Sequence, residues 1–276
     1  MTKRKIIRRI VLWIGICLCA YPLIANVMEQ KKQSKTISTY ENELREYEKN
    51  ELSKMLEAAE KYNDVLYQSK SLIGSSAQVE ILNHENYEKL LSVSKTTIMG
   101  IINIPQIEVK LPIYHGTGSE VLSKGVGHLE GSSLPVGGKN AHCVLTGHRG
   151  LPNSKLFTRL DELEKGDLFY VEVADKIMAY CVKEIQVISP EDVNCLSIKE
   201  GNDFVSLVTC TPYGINSHRL VVTGERVAYR EKEYVKLEPR TASKREVLFT
   251  VLPFVMVGIV TVKFSKERRE RKRGKK

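Results

Sequence analysis

The 276-residue sequence lacks most of the spacings that mark familiar reactive centres. It has no C-x-x-C pair and no H-x-x-x-H, so a zinc centre assembled from Cys143, Cys210, His142 and His148 has no paired ligands to support it. There is no G-x-S-x-G turn, which removes the usual serine-hydrolase elbow, and no glycine-rich loop to cradle a phosphate. Residues 29–70 contain neither glycine nor proline, so nothing in them breaks a helix.

A basic middle is also missing. The formal charge is +9, but residues 1–9 hold five Lys/Arg without an acid and residues 263–276 hold nine against two glutamates. The two tails together carry +12, which leaves −3 for everything between them and argues against a nucleic-acid-binding core. Each tail abuts an apolar run, 10–28 and 247–264, and these are expected to be transmembrane helices. Lysine and arginine stay on the cytoplasmic side, so both termini are expected inside and the domain between them outside, at the cell membrane. A cleaved signal peptide is the alternative for the first run.

Of six cysteines, Cys17 and Cys19 fall in that run, leaving Cys143, Cys181, Cys195 and Cys210 in the exterior part. A chain this long needs no covalent staples, so Cys143, Cys181 and Cys195 read as small core hydrophobes. From 29 onward Tyr40, Leu44, Tyr47, Leu52, Met55, Ala59, Tyr62 and Leu66 recur every three or four positions, the stripe of an amphipathic helix that packs on a neighbouring domain. Residues 71–97 show little periodicity and read as loop with a short helical piece. From 98 the chain turns to short β-branched segments, "IMGIINI", "IEVKLPIY", "AHCVLTGH", "LFYVEVAD", "KIMAYCVKEIQVI", "FVSLVTC" and "HRLVVTG". Seven or eight strands so closely spaced predict a barrel or sandwich. "SKLFTRLDELEKGD" interrupts them as an expected short helix ended by Gly166.

Within "FVSLVTC" the alternation puts Phe204, Ser206, Val208 and Cys210 on one face and Val205, Leu207 and Thr209 on the other. "TPYGINS" is a turn, so "HRLVVTG" returns antiparallel and brings Arg219 within reach of Cys210. A guanidinium there favours thiolate and donates to an oxyanion, but a core cysteine beside a carboxylate-paired arginine has the same spacing. Thiol chemistry needs an acid/base. His148, in the glycine-flanked "LTGHRG", is the rim candidate; His142 and His128 are alternatives that spacing does not eliminate.

Taken together, "GIINIPQIEVKLPIYHGT", "VGHLEGSSLPVGGKNAHCVLTGHRGLPNSKLFTRLDELEKGD" and "LVTCTPYGINSHRLVVTG" resemble the sortases of Gram-positive bacteria, in particular the class C, pilus-assembling branch. The resemblance covers roughly residues 98–226. It implies a mainly β fold, an eight-stranded β-barrel with short helices, preceded here by the amphipathic helical segment and flanked by the two transmembrane helices. It also implies Cys210 as nucleophile, His148 as acid/base, Arg219 as the oxyanion and substrate arginine, and Thr209 as a contributor to substrate contacts, with no cofactor and no metal. The implied partners are Leu-Pro-X-Thr-Gly-like sorting signals of pilins or surface proteins and an acceptor amine, a pilin lysine or a peptidoglycan precursor, at the membrane. A housekeeping sortase that anchors single proteins, and a non-catalytic tethered module, are the competing readings.

The expected organisation is therefore a cytoplasmic tail (1–9), a span (10–28), a helical segment and possible lid (29–97), the catalytic barrel (98–226), a linker (227–246), a second span (247–264) and a second tail (265–276). Class C members carry an Asp-Pro-aromatic lid ahead of the barrel. This chain has no proline between Pro22 and Pro105, so "AQVEILNHENYEKLL" is expected to cover the cleft loosely or not at all. Pro239-Arg240-Thr241-Ala242 before the last apolar run has the layout of a sorting signal, but Glu238 interrupts it and it reads as linker.

Overall fold

The seven β-branched segments and one short strand not marked in the sequence pair into a single closed ring, in the order β1-β2-β3-β4-β7-β8-β6-β5. The strands are β1 (Ile98–Ile104), β2 (Val109–His115), β3 (Val126–His128), β4 (Ala141–Thr146), β5 (Leu168–Val173), β6 (Lys176–Ile188), β7 (Asp203–Thr211) and β8 (His218–Val227). The structure is a computed structural model and describes residues 3–69, 82–93, 97–151, 154–231, 234, 251, 255–259 and 261–262. Closure removes exposed strand edges. β2–β3 and β4–β7 are parallel, and the other pairs are antiparallel.

Alternate side chains fill the interior. Ile102, Ile104, Leu111, Ile113, Val126, Leu145, Val171, Val173, Val205, Leu207 and Val222 belong to one buried cluster, and its burial is the main driving force for the fold. Cys143 is part of that cluster. Cys181 and Cys195 are only half-buried, and all the described cysteines are free thiols.

Ahead of the barrel, α1 (Lys3–Glu46) and α2 (Lys49–Ser69) are set apart by a break at Tyr47–Glu48. The Glu51 carboxylate accepts the Glu48 N–H at 3.1 Å and caps α2. Of the expected stripe, Tyr40, Leu52, Ala59, Tyr62 and Leu66 are buried, while Leu44, Tyr47 and Met55 are half-buried against the same clusters. Asn63 accepts the Leu134 N–H at 2.7 Å and donates to the Leu134 carbonyl at 3.1 Å, which fastens α2 to the β3–β4 loop.

Two compact units are distinguished, Met1–Glu29 with Arg240–Lys276, and Gln30–Pro239. In the first, α1 leaves Ile10, Val11, Trp13, Ile14 and Leu18 exposed. Among the described residues no helix is long and apolar enough to cross a membrane, so the fold does not establish the two expected spans. Most of 247–264, the tail 265–276 and Pro239-Arg240-Thr241-Ala242 lie outside the described residues.

Two expectations change. The helix expected in "SKLFTRLDELEKGD" is only a 3-10 turn at Leu160–Glu162, since Leu156 at φ 35° cannot begin an α-helix and Leu163 already takes an extended conformation. The supposed linker from 227 begins as barrel: the strand includes Val227, and Tyr234 packs edge-on against Tyr170 while its hydroxyl donates to Glu172 at 3.0 Å and accepts from Asn103 at 2.7 Å. Of the possible lid, 71–81 and 94–96 lie outside the described residues. The rest carries α3 (His84–Lys89), capped by Asn83, and buries Tyr87 and Leu91 in the core.

Candidate active site

The outer face of the β4–β7–β8 sheet is organised in level rows. Val144 and Thr223 flank Ser206, and Thr146 and Val221 flank Val208. One row further on, Cys210 stands directly opposite Arg219. In an antiparallel pair such partners share a face with Cβ atoms about 5 Å apart. Both are half-buried. The Arg219 guanidinium donates through Nη1 to the Asn216 carbonyl at 3.2 Å and the His218 carbonyl at 3.1 Å, which anchors it to the β7–β8 turn. That turn closes because Gly214 and Asn216 take positive φ and the Pro212 carbonyl accepts the Ile215 and Asn216 N–H groups.

His148 arrives on the other flank. Beyond Thr146, paired with Val208, the Gly147 N–H still donates to the Val208 carbonyl at 3.0 Å. The pairing thus persists one residue past β4, and His148 follows next on the alternation that puts Thr146 and Val208 on the outer face. Gly147 is required for a spatial reason: a Cβ there would lie 2.6 Å from the Phe157 ring. The Phe157 N–H in turn donates to the His148 carbonyl at 3.1 Å. His148 is half-buried, so one side of its ring meets solvent.

The two competing histidines are occupied elsewhere. His128 is fully buried, with Nδ1 3.0 Å from the Tyr87 hydroxyl and Nε2 2.9 Å from the Ser133 carbonyl; burial pushes its pKa down to about 4. His142 is 1% exposed and bridges Ser206 and the Ser197 carbonyl. Burial likewise pushes the Cys143 and Cys195 thiols up, away from thiolate.

Thr209 departs from its expected place. It lies on the interior face, 1% exposed, and its hydroxyl donates to the Gly147 carbonyl at 2.7 Å. Its side chain thus braces the His148 loop from behind. Sequence reasoning passed over Arg149, whose buried guanidinium pairs with Asp161, reaches the Thr211 hydroxyl at 3.4 Å and lies 5.8 Å above the Tyr213 ring. It ties the residue after His148 to the residue after Cys210. The only sign in the sequence was an arginine between His148 and Gly150, which does not distinguish a clamp from a surface charge.

A closed barrel that sets a half-buried thiol opposite a guanidinium, with a half-buried imidazole just past the end of the neighbouring strand, is a scaffold suited to acyl transfer through a thioester. The sortase-domain family matches residues 102–227. Sortase D of Bacillus subtilis is 33% identical over 131 residues, 46% of this chain; the chain spans 63% of that relative's length, less than two thirds. Sortase C of Clostridium perfringens, solved with the C-terminal cell wall sorting motif, is 40% identical at a TM-score of 0.61, with 71% of this chain and 100% of that one covered. Sortase C of Streptococcus pneumoniae, whose structure was described for catalysis and pilin substrate specificity, is 38% identical at 0.59, covering 71% and 97%. The chain belongs to the sortase family, whose members are cysteine transpeptidases, and its structural neighbours are class C sortases.

Proposed function

We propose that this chain is a membrane-tethered class C transpeptidase that cuts a Leu-Pro-X-Thr-Gly-like sorting signal between Thr and Gly and joins the Thr to a lysine amine of another pilin. The observation that carries the reading is Cys210 facing Arg219 across the β7–β8 pair, with His148 two residues past the end of the adjacent strand β4. The class C neighbours, one solved with a sorting motif and one described for pilin specificity, favour the pilus branch.

In this mechanism the Cys210 thiolate attacks the Thr carbonyl, and the C=O π electrons move onto oxygen. Arg219 Nη2 and Nε donate to that oxyanion, while Nη1 stays on the turn carbonyls. Collapse expels the Gly amine, which takes its proton from the His148 imidazolium. The lysine amine then attacks the thioester as His148 accepts its proton, and Cys210 leaves as thiolate with an amide bond formed. Thr209 and Arg149 hold the loop and strand that set this spacing.

The tether is inferred from the apolar runs 10–28 and 247–264 beside their basic tails, which place both termini in the cytoplasm and the barrel outside. The test uses the full chain in detergent, a Leu-Pro-X-Thr-Gly peptide, and either a lysine-bearing pilin fragment or a peptidoglycan-type amine. Cleavage after Thr with a Cys210-linked intermediate, and transfer to the pilin lysine, are expected. No cleavage, or cleavage undiminished in Cys210→Ala, rejects the reading; transfer only to the peptidoglycan amine replaces it with the housekeeping one.

A further inference from the structure

The loop between β6 and β7, residues 189–202, sits on the same outer face as Cys210. Its Cys195 and Leu196 pack on Val144, Val208 and Val221, with Leu129 and Ile188 beside them. Val208 is two residues before Cys210 and so shares its side of the strand. Within the loop, the short 3-10 turn Asn194–Leu196 ends at Ser197. The loop is a chain of turns, Ser189–Asp192, Val193–Ser197 and Lys199–Asn202, and its far end is tied to the start of β4 by the Gly201 N–H on Asn140 and the Ala141 N–H on Asn202; its middle, seated on three valines, takes its direction from a polar contact at Ser197.

His142 provides that contact. Its Nδ1 lies 2.9 Å from the Ser197 carbonyl, which only accepts, so Nδ1 carries the proton. Nε2 is therefore the acceptor, and the Ser206 hydroxyl 2.7 Å away donates to it. Ser206 in turn accepts from the Thr223 hydroxyl at 2.8 Å. The result is a one-directional chain from β8 through β7 and β4 into the loop, and it is buried: Ser206 is 0%, His142 1% and Thr223 7% exposed. The ring is held edge-on to Phe204, and the His142 N–H donates to Ser133 at 3.0 Å. A buried imidazole next to a serine has the look of a catalytic pair, but no substrate reaches it at that burial.

We propose that His142 is a positioning residue: it locks the 189–202 loop at Ser197 and thereby fixes the apolar wall along which substrate approaches Cys210. The occupant of that wall is the apolar part of an extended peptide. This consequence rests on the transpeptidase reading, whereas the lock does not.

The experiment compares the full chain with His142→Asn, His142→Gln and His142→Ala. Asparagine sets its amide N–H near the position of Nδ1 and preserves the bond to Ser197; glutamine reaches only toward Ser206. Hydrogen exchange over 189–202 is expected to quicken about tenfold in the alanine and glutamine variants and to return close to wild type with asparagine, as for loss of one buried hydrogen bond. Steady-state cleavage is expected to show KM for a Leu-Pro-X-Thr-Gly peptide raised about tenfold and the preference for Leu over Ala at its first position flattened, with kcat within about twofold. Alkylation of Cys210 by iodoacetamide should not change. Equal exchange in all four proteins, or a loss confined to kcat, overturns the proposal. Should the wild type cleave no peptide, the activity reading fails alone, because exchange still decides whether His142 locks the loop.

Discussion

The β2–β3 corner and the far end of β7 both gather imidazoles beside hydroxyl or thiol groups, and they use them in opposite ways. At the corner, His128 is sealed among Tyr87, Ser132 and Ser133, while His115 holds the Leu90 carbonyl at 2.8 Å. The Tyr87 hydroxyl also accepts the Gly116 N–H at 2.9 Å, so the Tyr87 and Leu90 bonds fasten α3 to the barrel while Ser132 and Ser133 pin the β3–β4 loop. At the rim, His148, Cys210 and Arg219 are all half-buried, and the backbone does the holding. Burial fixes a proton in place; partial exposure lets it move.

The comparison breaks first at the rim. Cys210→Ala is expected to lower peptide turnover by about a millionfold, measured by chromatography of the cleaved peptide, since the covalent route is lost. His148→Ala should cost about 10²–10⁴ in kcat, with exogenous imidazole restoring part of it. The same strand then separates stability from chemistry. Leu207→Ala, on the interior face, should destabilise by about 3 kcal/mol in urea titration while turnover per folded molecule holds.

Acid sharpens the contrast at the corner. The folded pKa of His128, about 4, lies below its ordinary 6.5, so the unfolded chain takes up the proton first as pH falls. Stability from this group is complete above 6.5 and is lost on the way down to 4; between pH 7 and pH 5 the loss is roughly 2 kcal/mol. Asp203, raised by burial, works weakly the other way. Melting curves of wild type and His128→Gln should converge at pH 5; parallel curves would mean that His128 does not govern the slope. The smallest effect belongs to the far wall, where Tyr234→Phe should cost about 1 kcal/mol by removing the bonds to Glu172 and Asn103.

How much of this was legible depended on range. "IMGIINI" and "KIMAYCVKEIQVI" coincide with β1 and β6, because alternation and flanking turns are local signals. β3 went unmarked: three residues, Val126–His128, hold no period. The Cys210–Arg219 pairing was readable because one short turn joins their strands. The approach of His148 was not, since it depends on a parallel pairing between strands some sixty residues apart. Thr209 shows the limit of motif reasoning: the motif named the residue, while strand alternation, already in the sequence, put its side chain on the inner face. Arg149 escaped notice because burial of an arginine is decided by distant partners such as Asp161 and Thr211.

The docking of Tyr234 has one more implication. Tyr234 is fastened to β1 and β5, while the Tyr40 hydroxyl holds the Met99 carbonyl of β1 at 3.3 Å and Glu41 holds Lys110 of β2 at 3.1 Å. Around the ring, those three strands stand across from β4, β7 and β8. Tyr40, Glu41 and Tyr234 are thus fastened to one flank of the barrel, while Cys210 stands on the strand across from it, so that neither the preceding helix nor the segment after β8 is anchored on the cysteine's side.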